Sequence, residues 1–179
     1  ANHLQISSKG QPQVSIRIAE HQKKVVIESR ESISKIFDAD FSELIFTSGA
    51  TESNNLAIFG LKKNAIENCK NHIVTSEIEH KAILDPVKEM ELQGFKVSYV
   101  KPNIDGVIKV SDVMKAVNEK TFLVSIMHAN NETGVINDIN EIFSAVKSRD
   151  PKIFTHTDMA QTFAKTNLDF TSKNIDMAS

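Results

Sequence analysis

Between residues 72 and 157 short apolar runs alternate with longer amphipathic stretches, and that alternation limits the fold more than any other feature. His72-Ile-Val-Thr-Ser76, Lys96-Val-Ser-Tyr-Val100, Phe122-Leu-Val-Ser-Ile-Met127 and the run from Ile153 to Thr157 read as strands. Between them lie helical patterns. Asp85-Pro86 reads as an N-cap with proline at the first helical position, and Gly94 closes that helix. Ser111 caps a short helix carrying Val113, Met114 and Val117. Asp138 starts another, in which Ile139, Ile142, Phe143 and Val146 recur at i, i+3, i+4 and i+7. Ile175-Asp-Met-Ala178 reads as the beginning of one more strand. Strands alternating with helices of about 10–18 residues predict an α/β fold, a mainly parallel sheet with helices on both faces.

The first third is less regular. Residues 1–13 hold Gly10 and Pro12 among polar neighbours and read as an irregular arm. From about Val14 to Phe37 a helical stripe runs through Ile18, Val25, Val26, Ile33, Ile36 and Phe37. Leu44-Ile-Phe46 is expected to be a buried strand, and a helix to about Lys70 follows, with Leu56, Phe59 and Ile66 on one face. The small-residue turn between them, residues 48–53, combines Gly49 with Thr51 and Ser53 just before a helix start. Glycine permits a sharp turn there, and free amides at a helix N-terminus favour an anion such as phosphate. An ordinary strand-to-helix turn capped by Ser and Thr reads the same way.

Composition narrows the function classes. The chain has 179 residues, 40% of them apolar and 25% charged, with a net charge of −2, which is ordinary for a single globular domain without a polyanion-binding face. No apolar run reaches the roughly 18 residues needed to span a bilayer. The start of the chain is polar and shows no signal peptide, and the single Cys69 fits a reducing, cytoplasmic setting, so neither nucleic acid nor membrane is an expected partner. Cys69 lies on the apolar side of its helix end and is expected to be a buried, inert thiol.

In an open α/β sheet, ligands bind beyond the carboxyl ends of the strands. Residues 48–53, then Glu79 with His80, then Asn130, Asn131 and Glu132, then Asp158 with Gln161 each follow a strand. Parallel strands bring all four groups to one rim. Singly, His80 reads as a capping or packed histidine, Asp158 as a helix N-cap and the asparagine pair as turn residues. His128, His156 and Asp158 lack any metal-ligand spacing, so no metal site is expected. Two alternatives to an enzyme's binding rim stand: a non-catalytic remnant or interaction module that keeps the fold and, more remotely, a nucleotide-binding domain, for which neither phosphate-loop glycine motif is present.

Together the segments FTSGATESNNLAI (46–58), SEIEHKAIL (76–84), LVSIMHANNETGVINDI (123–139) and HTDMAQTFAK (156–165) resemble the NifS/IscS-like cysteine desulfurases, fold type I enzymes that use pyridoxal 5′-phosphate (PLP). The resemblance implies that residues 14–179 are an incomplete PLP-binding large domain, with the small C-terminal domain absent. It implies that Ala50 and Thr51 take the cofactor phosphate and that His80 stacks on the ring and exchanges protons. Asn131 and Gln161 would face the ring's phenolic oxygen, and Asp158 would pair with the pyridine nitrogen. L-Cysteine is the implied substrate, a homo-oligomer or complementing chain the implied assembly, and a sulfur-acceptor protein a further partner. In the family the Schiff-base lysine, the catalytic cysteine and a further sheet strand come after the position of Ser179, and Cys69 does not stand where that cysteine does. The 179-residue chain by itself is therefore expected to release neither alanine nor sulfide from L-cysteine. An assay showing release above a PLP-only blank would contradict this.

Overall fold

A computed structural model describes residues 12–163, 165–166 and 174–179. The chain divides into two compact units, Ala1–Phe46 and Thr47–Ser179.

In the first unit α1 spans Pro12–Ile36, followed by a 3-10 turn at Phe41–Glu43. Asp40 caps the turn by accepting from the Ser42 amide at 2.8 Å, and its own amide donates to Glu43 at 2.6 Å. The arm expected over 1–13 lies outside the described residues up to position 11, and Pro12 and Gln13 already belong to the helix. Leu44 to Phe46 form no strand. Ile45 is 64% exposed, and the Leu44 carbonyl accepts from the Arg30 guanidinium instead of a ladder amide. An extended apolar run becomes a strand only where a neighbour pairs with it, and none does among the described residues. Arg30 also lies over the rings of Phe41 and Phe46, at 5.2 and 5.1 Å.

The second unit carries the sheet. Its elements are α2 (Ala50–Gly60), α3 (Lys62–Glu67), β1 (His72–Ser76), α4 (Lys81–Leu92), β2 (Lys96–Val100), α5 (Val110–Ala116), β3 (Thr121–Ser125), α6 (Ile139–Arg149), β4 (Phe154–Thr157) and β5 (Met177–Ala178). The strands pair in the order β2-β1-β3-β4-β5, and every pairing is parallel. Alternation along β1 and β3 splits the core in two. Val74 and Val124 point to one face, where α5 and α6 contribute Val113, Ile139, Ile142, Phe143 and Val146. Ile73 and Leu123 point to the other, under Ile58, Ala65, Ile83, Val87 and Met90 of α2, α3 and α4. Helices on both faces of a parallel sheet are the expected α/β architecture.

Several local expectations are corrected. The α4 helix begins at Lys81 and not at Asp85, because the His80 ring caps it, and Pro86 lies inside with its ring buried. The α5 helix begins one residue before Ser111, with Lys109 at the N-cap. In α2 and α3 the buried side is Asn54, Ile58 and Ala65, while Leu56 and Ile66 are exposed. Cys69 is exposed, not buried. It takes φ 54° just past the end of α3, which turns its side chain away from the apolar side.

Buried and exposed positions make unequal demands on apolar side chains. Phe143 is fully buried against the sheet, whereas Leu92 at the end of α4 is 84% exposed. Phe143→Ala is expected to lower unfolding free energy by ~3–5 kcal/mol, and Leu92→Ala to change it by under ~0.5 kcal/mol. Urea titrations of the two variants check the contrast.

Candidate functional site

Parallel pairing places the carboxyl ends of β1, β3 and β4 on one rim of the sheet. The β1 end leads to Glu79 and His80, the β3 end to His128, Asn130 and Asn131, and the β4 end to Asp158 and Gln161.

The turn before α2 is fixed by its own side chains. Thr47 and Ser53 share a hydroxyl hydrogen bond of 2.7 Å, and Glu52 accepts from the Ser48 amide and hydroxyl at 2.6 Å each. Those bonds hold the Glu52 carboxyl below its ordinary value. Gly49 stands at the N-cap with φ 158° and ψ 179°, and no side chain caps the helix. The leading amides of Ala50 and Thr51 therefore keep their donors for an outside acceptor. Thr51 and His80 line one open cavity of about 500 Å³ between α2 and α4, with Asn55, Phe59 and Asp85. Ala50, Asn131, Asp158 and Gln161 do not line it.

His80 is exposed, and its Nδ1 accepts from the Ala82 amide at 3.1 Å. That bond makes it the cap of α4 and assigns the ring proton to Nε2, the nitrogen turned outward. Asp158 is buried. Its Oδ1 accepts from the Ala160 amide at 3.0 Å and its Oδ2 from Asn54 Nδ2 at 2.8 Å. A carboxylate offers about four lone-pair positions, so Asp158 keeps acceptor capacity for one more N–H. Asn131 and Gln161 are exposed and hydrogen-bond to no described residue. The structure thus brings Thr51 to His80 and ties Asp158 to α2, while Asn131 and Gln161 stand on the rim unengaged.

Two buried groups escaped the reading of the sequence. Asn54 is fully buried and joins α2 to Asp158. Its signal was the spacing with Ile58 and Ala65, which puts it on the inner side of the helix. Glu79, noted only by position, is 5% exposed. Its Oε1 accepts from the Ser76 hydroxyl at 2.6 Å and the Met127 amide at 2.9 Å, and its Oε2 is buried without a partner. Burial pushes the Glu79 carboxyl up to about 8 against those two bonds, and the charge of Asp158 adds to the rise. His156 is fully buried, with its ring nitrogens on Ser125 Oγ at 2.9 Å and Ser179 Oγ at 3.0 Å. Burial lowers its pKa to about 4, opposed by Asp158. His128 meets Thr162 Oγ1 at 2.8 Å. Among the described residues no three metal-ligating side chains form a group, and no helix is long and apolar enough to cross a membrane.

Residues 3–179 match the family described as aminotransferase class-V. The cysteine desulfurase IscS of Vibrio atlanticus is 44% identical over 151 residues, covering 84% of this chain and 37% of that protein. Among solved structures, DndA from Streptomyces lividans superposes with a TM-score of 0.86 at 39% identity, covering 96% of this chain and 46% of that one. SspA in complex with cysteine gives 0.83 at 42%, covering 90% and 46%. The chain thus spans less than half the length of each of these relatives.

The buried acid and the buried imidazole set opposite limits on stability. Glu79 has a folded value of about 8 against an ordinary 4.5, so its contribution is complete below about 4.5 and is lost as pH rises through about 8. His156 has a folded value of about 4 against 6.5, so its contribution is complete above about 6.5 and is lost as pH falls through about 4. Urea midpoints are expected to peak between these limits. Glu79→Gln is expected to flatten the alkaline limb and leave the acid limb in place, and an unchanged alkaline limb would contradict the assignment.

Proposed function

The chain belongs to the class-V aminotransferase family, and from that premise we propose that it is the cofactor-holding part of a PLP-dependent cysteine desulfurase. The observation that carries the reading is the pairing of an uncapped α2 amino end with a buried carboxylate tied to the same helix. A phosphate dianion suits the Ala50 and Thr51 amides and the Thr51 hydroxyl, under the favourable end of the helix dipole. A pyridinium N–H suits the remaining acceptor capacity of Asp158. His80 is held at its ring edge by the Ala82 amide, which leaves its face free to stack. Its Nε2 would then exchange a proton with substrate. Asn131 and Gln161 supply amide donors from the rim for a phenolic oxygen. Bound PLP supplies an electron sink for a carbanion at the substrate α-carbon.

L-Cysteine as the substrate is supported by the relatives, several of which carry the name cysteine desulfurase, and by the SspA structure with cysteine. Sulfur would leave as a persulfide on an enzyme cysteine, with alanine released. We assign neither that role to Cys69, exposed at the end of α3, nor the Schiff-base role to any lysine here. An incomplete large domain over 14–179, a homo-oligomer or complementing chain, a sulfur-acceptor protein and a cytoplasmic location all go with this reading.

The test is ligand-dependent melting of the purified protein. PLP is expected to raise the melting temperature and ATP to leave it unchanged. Asp158→Asn is expected to weaken PLP by ~10- to 100-fold, the range for a lost hydrogen bond to a charged group. A shift with ATP and none with PLP would replace this reading with a nucleotide-binding one.

A further inference from the structure

Asn54 is a polar residue where the packing calls for an apolar one. It sits on the buried side of α2 next to Ile58, has no exposed surface, and leaves its Oδ1 buried without a partner. A half-satisfied buried amide costs stability that an apolar side chain of similar size would not. Among the described residues its side chain makes one bond, from Nδ2 to Asp158 Oδ2 at 2.8 Å, which spans 104 residues of sequence. Among the same residues the other bond on that carboxylate is local, from Ala160 to Oδ1. One local bond leaves the carboxylate plane free to swing, and a second from another element fixes it.

Asn54 also follows Ala50 by four residues and Thr51 by three, so it lies on the same side of α2 about one turn further along. The amino end of that helix and the Asp158 carboxylate are thereby held at a set spacing by one rigid rod. We infer that Asn54 is a positioning residue that aims the Asp158 carboxylate at the ring nitrogen of PLP and locks its distance from the phosphate site. The inference rests on the PLP reading above. It assigns no proton transfer to Asn54, which acts only through Asp158.

The experiment compares two ligands, PLP and its carbocyclic analogue in which the ring nitrogen is replaced by C–H. Dissociation constants for both are measured on the unaltered protein and on Asn54→Leu, which keeps nearly the same volume and cannot donate. Asn54→Leu is expected to weaken PLP by ~10- to 100-fold and to leave the analogue unchanged, so that the preference for PLP collapses. Asn54→Ser is measured alongside, read only through the ratio of the two affinities, so that a general loss of folded protein cancels. Equal losses for both ligands would mean that Asn54 merely supports the fold, and would overturn the inference alone. An unaltered protein that binds both ligands equally would remove Asp158 from the ring nitrogen, and the inference with it. If it binds neither, the functional reading itself fails.

Discussion

Every part of the candidate site except the α2 turn, which follows no strand among the described residues, depends on the parallel pairing of β1, β3 and β4. Parallel ladders put every strand's carboxyl end on the same side, so the loops that follow them meet whatever their distance in sequence. Glu79, Asn130 and Asp158 are joined in this way. The Glu79 carboxyl accepts from the Met127 amide at 2.9 Å, Asn130 donates to the Ile78 carbonyl at 2.9 Å, and the His128 amide donates to the Asp158 carbonyl at 3.0 Å. These are bonds between successive loop ends, so the rim is stitched laterally as well as carried by the sheet. The helices on either face then need only bury apolar stripes, which Ile142, Phe143 and Val146 on one side and Ile83, Val87 and Met90 on the other accomplish.

Burying polar groups at the rim is costly in electrostatic terms. Among the described residues the buried side-chain atoms without partners are Glu79 Oε2, Asn54 Oδ1 and Thr157 Oγ1 at or beside the strand ends, Thr75 Oγ1 within β1 and Asn140 Oδ1 in α6. The far end of the sheet is different. There His72 has Thr121 Oγ1 at 2.8 Å, Asn118 Nδ2 at 3.0 Å and Ser98 Oγ at 3.0 Å, so both ring nitrogens are engaged. Buried polar groups in a purely structural setting are satisfied in that manner. The perturbed Glu79 carboxyl and its unpartnered oxygen beside Asp158 support the binding site proposed above.

Much of this was legible in the sequence because it follows from periodicity. The α6 stripe, the Asp138 cap and the buried runs of β1 and β3 are one-dimensional patterns with a single reading. The placement of His80 and Asp158 after strand ends was legible for the same reason. What failed depended on partners. Leu44 to Phe46 has the composition of a strand and no pairing neighbour among the described residues, and Arg30 takes the Leu44 carbonyl. The start of α4 was misplaced because Asp85-Pro86 has the more usual cap chemistry, yet the His80 ring, which reads as a capping or packed histidine, accepts from Ala82 as an Asp or Ser would. Cys69 was put on the wrong side because a φ of 54° is invisible to a helical wheel.

Asn54 is the instructive case. A polar residue at one position of an amphipathic helix ordinarily signals the solvent side, and that rule turned the buried face of α2 toward Leu56 instead. The rule fails where a buried polar partner exists, and Asp158 is that partner at a separation of 104 residues. No local window contains both residues. Ile58 and Ala65 bury the same side, and Asn54 can go in with them because Asp158 accepts from its amide. The helix that presents the leading amides is thus tied to the carboxylate at the other end of the candidate site by a bond from its buried side. Fold and candidate site share that side of α2: the face that packs Ile58 on the sheet is the face that meets Asp158.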